Sequence, residues 1–186
     1  MSLEEETIRS DVVYNGKLIR VREDLVTAAC GPAAREIVEH AEGVVIAALK
    51  PDGSLIMERQ YRKAAEREFF ECPAGKIDPG EDPVHAALRE LREETGCRAG
   101  RIELLARSWP SAGYSTEVLH IFLCTDLIQG DRDLDDSESI DLEEHPLEEL
   151  YEMIIGGKLE DGKSQLAILL TRDRIVRGML EDYLIG

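Results

Sequence analysis

The chain has 186 residues, 43% of them apolar, enough for the core of one domain, or of one domain with a small satellite built on it. No uninterrupted apolar run approaches the ~20 residues that a bilayer requires, which excludes an α-helical membrane span. With 22 Lys and Arg against 39 Asp and Glu the formal charge is −17, and this argues against a nucleic-acid partner, because such binders draw their non-specific affinity from clustered Lys and Arg. A phosphate ligand would have to be reconciled with that charge, and bound divalent cations are the physical means. Cys30, Cys72, Cys97 and Cys124 form no C-x-x-C, and the segment MSLEEETIRS has neither a basic nor an apolar leader region. The expectation is free thiols in a reducing cytoplasm, acting as small buried hydrophobes.

The stretches 10–14, 17–25 and 34–40 are short and β-rich, separated by the hairpin signal Asn15-Gly16 and by Gly31-Pro32. They predict a small N-terminal β-unit over residues 1–40, leaving 41–186 as the main domain. Gly43 to Leu49 is a continuous apolar run, and Asp52-Gly53 separates it from Ser54 to Glu58, giving two central strands of a mixed sheet. A helix is predicted from Asp82, its N-cap, through Pro83 to the stop at Gly96. Val84, Ala87, Leu88 and Leu91 fall at i, i+3, i+4 and i+7 and would form its apolar face. Strands follow at 101–107 and 117–126, then an acidic loop at 131–139 and a short strand near Ile140 to Leu142. Two helices close the chain, one carrying Leu147, Leu150, Tyr151 and Ile154, the other starting near Ser164 with Leu166, Leu169 and Leu170. The class is α/β, with helices on both faces of one sheet.

Opposite that apolar face, Glu90, Glu93 and Glu94 crowd about one helical turn together with Arg89. Taken alone they read as a solvated acidic face with Arg89 bridging to Glu93. The longer string changes the balance. Gly75, Glu81, Arg89-Glu90-Leu91, Glu93-Glu94 and Gly96-Cys97 follow G-x5-E-x7-R-E-U-x-E-E-x-G-U, where U is bulky and apolar and Cys97 is a mild departure. A chance match is on the order of 10⁻⁷ per start position.

This string resembles the Nudix box of the Nudix hydrolase superfamily. Gln60-Tyr61-Arg62, Glu71-x-Pro73-Ala74-Gly75, Ser111-Ala112-Gly113-Tyr114-Ser115-Thr116-Glu117 and Arg35-Glu36-Ile37-Val38-Glu39-His40 extend the likeness to the ADP-ribose pyrophosphatase branch, over residues from about 35 to 170. Where that branch usually has Ser-Pro-Gly, its mark of ADP-ribose specificity, this chain has Ser111-Ala112-Gly113.

The resemblance implies an α/β/α sandwich and hydrolysis of a P–O–P linkage in ADP-ribose or a related nucleoside diphosphate sugar. It implies Mg²⁺ or Mn²⁺, two or three ions, held by Glu90, Glu94, bridging Glu93 and the backbone carbonyl of Ala74, in the oxygen-rich shell that hard dications prefer. Arg89 would fix the carboxylates around it, and Glu81 would tie the Gly75–Gly80 loop. The base acting on water is expected on the acidic loop, Glu138 first and Asp136 second, with a solvated loop charge as the alternative for each. Arg62 is expected on the diphosphate or terminal ribose, or else in an ion pair with Glu58. Arg35 and Glu36 match positions that approach the nucleotide. Trp109 and Tyr114 could stack on a base or serve as core or rim aromatics, and the four histidines have no ligand spacing. The N-terminal unit implies a homodimer. The rival readings are a hydrolase of another nucleoside diphosphate sugar, such as a GDP-hexose, and a silent Nudix domain that binds a nucleotide and regulates a partner.

Overall fold

The computed structural model describes residues 3–134 and 139–180. Two compact units divide the chain: Met1–Glu42 together with Trp109–Val118, and Gly43–Ser108 together with Leu119–Gly186.

In the first unit, β1 (Thr7–Asn15), β2 (Arg20–Val26) and β3 (Ala33–Glu39) form an antiparallel sheet in that order. The Asn15-Gly16 signal does mark a turn, with the Gly16 amide donating to the Ile19 carbonyl. Residues 109–118, expected with the main domain, pack instead beside β3. There the Val38 amide donates to Tyr114 O at 2.7 Å, the Thr116 amide donates to Val38 O at 2.9 Å, and the His40 amide donates to Thr116 Oγ1 at 3.0 Å.

The second unit is organised by β4 (Gly43–Leu49), every residue of which is buried. It pairs antiparallel with β5 (Ser54–Arg62) and with the short β7 (Ala74–Lys76), and parallel with β9 (Leu119–Gln129). The path of the seven-stranded mixed sheet runs from β10 (Ile140–Pro146) through β5, β4 and β9 to β8 (Cys97–Ser108), with β6 (Arg67–Glu71) added on β5. Successive side chains of a strand point to opposite faces, so β4 feeds two cores. Val45, Ala47 and Leu49 pack with Leu147 and Leu150 of α2 (Leu147–Ile155) and with Ala167 and Ile168 of α3 (Gly162–Val176). Val44, Ile46 and Ala48 pack with Ala86, Ala87 and Leu91 of α1 (Pro83–Thr95). The result is an α/β/α sandwich. Among the described residues no helix is long and apolar enough to cross a membrane.

Helix α1 has the predicted ends. Asp82 Oδ1 accepts from the Val84 amide at 2.9 Å, and Gly96 closes the helix at φ 76, a left-handed conformation in which a Cβ would also meet the Gly130 carbonyl at 2.6 Å. Its buried face keeps Ala87 and Leu91 of the predicted stripe but is turned away from Val84. Val84 is exposed, and the stripe against the sheet is Ala86, Ala87, Leu91, Glu94 and Thr95, so one of the box glutamates lies on the core side. Helix α3 differs similarly. Leu169 faces solvent while Ser164, Ala167, Ile168 and Thr171 are buried. Its capped first turn, in which the Ser164 hydroxyl donates to Asp161 and accepts the Cys72 amide, sets the rotation.

Candidate active site

Arg89 stands at the centre of the half-buried carboxylates of Glu81, Glu90 and Glu93. Its Nε donates to Glu81 Oε1 and its Nη2 to Glu81 Oε2, both at 2.9 Å, while Nη1 donates to Glu90 at 2.8 Å and to Glu93 at 3.1 Å. Nη2 also donates to the Lys76 carbonyl at 3.0 Å, fixing the guanidinium to the end of β7. Glu81 in turn accepts the Asp78 amide at 3.0 Å, which closes the loop between β7 and α1. Hydrogen bonds from Arg89 hold the Glu81 carboxyl down at about 2, and the same contacts raise the arginine above its ordinary value. One side chain thus relieves the repulsion of the three glutamates and orients them.

Backbone geometry brings the remaining box residues together. A Cβ on Gly75 would lie 2.0 Å from the Glu90 carboxyl, so in this arrangement the carboxylate rests directly against the Gly75 backbone, and a side chain there would displace it. Glu94, 4% exposed, accepts the Ala74 amide at 3.0 Å, which joins helix and β7 at the residue whose carbonyl was expected as a ligand. Among the described residues no three His, Cys, Asp or Glu side chains form a finished metal cage. The donor set, carboxylates and peptide oxygen without thiol or imidazole, is nonetheless of the hard type that Mg²⁺ and Mn²⁺ take. The cradle at Gly75 keeps Glu90 beside that peptide, so these residues fit a hard dication.

Beneath this layer lies a second carboxylate group. Glu58 of β5 and Glu71 of β6 are directly opposed across the hairpin and are 3% and 2% exposed. Glu71 is answered by Arg62, which forks onto it at 2.8 and 2.7 Å, and by Lys163 at the start of α3. Burial works against ionisation of Glu71, but Arg62 and Lys163 prevail and hold it below the usual carboxylate range. Glu58 has no such answer. Burial pushes it up to about 7 with the Glu71 charge adding to the push, opposed by a hydrogen bond with Glu94 and by the charges of Arg132 and Arg62.

The residues expected at the site fall into three groups. Ala74, Glu90, Glu93 and Glu94 meet around the β7–α1 loop, and Arg62 lies on β5 with Glu71, not Glu58, as its ionic partner. Arg35 and Glu36 lie on β3 of the N-terminal unit, where Arg35 forks onto Glu5 and also donates to the Ala34 carbonyl. Trp109 and Tyr114 are both more than half exposed. Glu138 and Asp136 lie outside the described residues; on the near side of that segment, the Asp133 amide donates to the Glu93 carbonyl at 3.1 Å. Sequence reasoning missed Glu71 and Lys163 as an ion pair and Glu58 as a buried carboxyl. The available signal was the hairpin from β5 to β6, whose register opposes Glu58 and Glu71.

A glycine loop leading into a glutamate-bearing helix, laid on a mixed sheet, defines a class, and the chain belongs to it: the NUDIX domain family matches residues 39–165. It is 37% identical to an ADP-ribose pyrophosphatase of Bacillus subtilis over 170 residues, covering 90% of this chain and 92% of the relative. It is 34% identical to a methanol dehydrogenase activator of Bacillus methanolicus, covering 89% and 91%. A crystal structure titled as an ADP compounds hydrolase superposes with a TM-score of 0.83 over 97% of this chain and 98% of the other, at 24% identity, and shares the fold.

Proposed function

We propose that the chain is a divalent-metal-dependent pyrophosphatase that splits ADP-ribose, or a related nucleoside diphosphate sugar, into a nucleoside monophosphate and a sugar phosphate. The observation that carries this reading is the packing of Glu90 on Gly75 beside Glu94 on the Ala74 amide, which gathers a hard-oxygen donor set at one helix turn. The likeness to an ADP-ribose pyrophosphatase over nine-tenths of both chains supports the substrate class.

Glu90, Glu94, Glu93 and the Ala74 carbonyl would hold Mg²⁺ or Mn²⁺, two or three ions. Bound there, hard dications supply Lewis acidity toward the diphosphate and screen its charge from the glutamates. Glu138, or Asp136 in its place, takes a proton from the water that attacks phosphorus, and the P–O–P bond breaks with its electron pair going to the departing phosphate. Arg62, kept extended by Glu71 and partly exposed, grips the diphosphate or terminal ribose. Arg35 and Glu36 contact the nucleoside. Residues 1–40 act as a dimerisation unit and 41–186 as the hydrolase domain, the first role supported by the exposed Ile8, Val12, Val13, Tyr14 and Leu18 in and next to β1. The thiols fit a reducing cytoplasm.

The test is a panel of nucleoside diphosphate sugars compared by kcat/KM, with Mg²⁺ and with EDTA. ADP-ribose should lead and EDTA should abolish turnover. A GDP-hexose in the lead would move the substrate to the hexose reading that Ala112 leaves open. A second reading, a regulatory domain, is favoured by the relative named as a methanol dehydrogenase activator; nucleotide binding without turnover of any panel member would establish it.

A further inference from the structure

Glu58 is an anomaly on its strand. It follows the buried run Leu55-Ile56-Met57, is itself 3% exposed, and faces Leu142 on one side and Glu71 on the other. Glu71 has taken Arg62 and Lys163, while Glu58 Oε1 is buried without a hydrogen-bond partner. The group that Glu58 does reach is another carboxyl, Glu94, the buried glutamate of α1 that accepts the Ala74 amide. A buried acceptor without a donor costs free energy, and two adjoining carboxylates add to the cost unless positive charge comes between them.

We infer that Glu58 is a further carboxylate of the cation site, standing behind Glu94 and turning its unpartnered oxygen and its charge to the divalent ion that Glu94 takes up. The inference rests on the metal reading given above. It makes Glu58 a carboxylate of the site supplied by the sheet and not by the box: the orphan oxygen is a cost in the metal-free protein that ion binding removes. Carboxylates that support a ligand in this way usually change metal affinity by roughly 10–100-fold.

The experiment titrates Mn²⁺ alone into full-length wild type, Glu58→Gln, Glu58→Val and Glu90→Gln, following free Mn²⁺ by electron paramagnetic resonance, with melting temperatures measured in EDTA. Both Glu58 variants should bind Mn²⁺ about 10–100-fold more weakly, while their melting temperatures in EDTA hold or rise, because both remove a buried charge and Glu58→Val also removes the unsatisfied acceptor. Mn²⁺ affinity within twofold of wild type in both variants, with Glu90→Gln clearly weakened, overturns the role of Glu58 and leaves the metal reading standing. A fall in melting temperature in EDTA that accompanies the loss of affinity also overturns it, since the residue would then be structural. If Glu90→Gln too binds Mn²⁺ normally, the metal reading fails and this inference with it.

Discussion

Glu81, Glu90 and Glu93 surround a single arginine, with side chains 18%, 14% and 27% exposed, whereas Glu58, Glu71 and Glu94 are buried against the sheet. In the outer group every carboxylate touches Arg89 and water remains nearby, so no member is left to bear a large desolvation cost. In the inner group the direct bonds of Arg62 and Lys163 go to Glu71, and Glu58, reached only by the charges of Arg132 and Arg62, is left facing Glu94. Composition alone would treat the six residues alike. Their difference lies in where the positive charge has been placed, and it separates a group that orders a loop from one whose energy depends on what binds.

The contrast can be broken most forcefully at Glu94. Glu94→Gln keeps an acceptor for the Ala74 amide and the helix propensity but removes a ligand charge, so kcat should fall by roughly a hundredfold or more with little change in melting temperature. Turnover within twofold of wild type would remove Glu94 from the site. Next is Glu71→Gln, which leaves Arg62 and Lys163 facing a neutral amide. Loss of one partner from a buried pair costs about 3–5 kcal/mol, and the partly exposed Arg62 places the expectation at the lower end, read from urea unfolding. A cost no greater than that of Glu81→Gln would erase the distinction between the groups.

The smallest effect is a pH limb. Because Glu81 titrates near 2 in the fold against an ordinary 4.5, its contribution is fully present above pH 4.5 and is lost as the pH falls from there toward 2. The melting-temperature difference between wild type and Glu81→Gln should be constant from pH 5 to 7 and shrink below 4.5; a difference that persists to the acid limit would mean that the Arg89 contacts do not depend on the charge of Glu81.

The sequence made the box helix legible because caps and spacing are local: Asp82, Pro83 and Gly96 act within one turn. The rotation of that helix was legible only in part. Ala87 and Leu91 are buried as the period predicts, but Val84 and Leu88 fit the same period and are not, and the turn that buries Ala86 and Glu94 instead is tied to a tertiary contact, Glu94 on the Ala74 amide. Strands β6 and β7 were missed for a related reason. Arg67-Glu68 reads as solvated chain and Ala74-Gly75-Lys76 is too short for a periodicity, so their pairing with β5 and β4 is set by their neighbours. Glu58 was hidden by its charge: an apolar run that ends in Glu looks like the end of a strand, yet β5 continues to Arg62.

The parallel pairing of β4 with β9 has a consequence in time. Val44 to Ala48 align with His120 to Cys124, and the crossover between them contains the whole of the box. Contacts so distant in sequence form slowly, because a long loop must close before any of them is rewarded. Helix α1 can coil early on its own capped ends, but Phe122 and Cys124, against which Ala87 and Leu91 pack, arrive only with β9. During synthesis the glutamates therefore emerge well before the sheet that aligns them, and a chain halted near residue 100 carries the complete motif with only part of its scaffold.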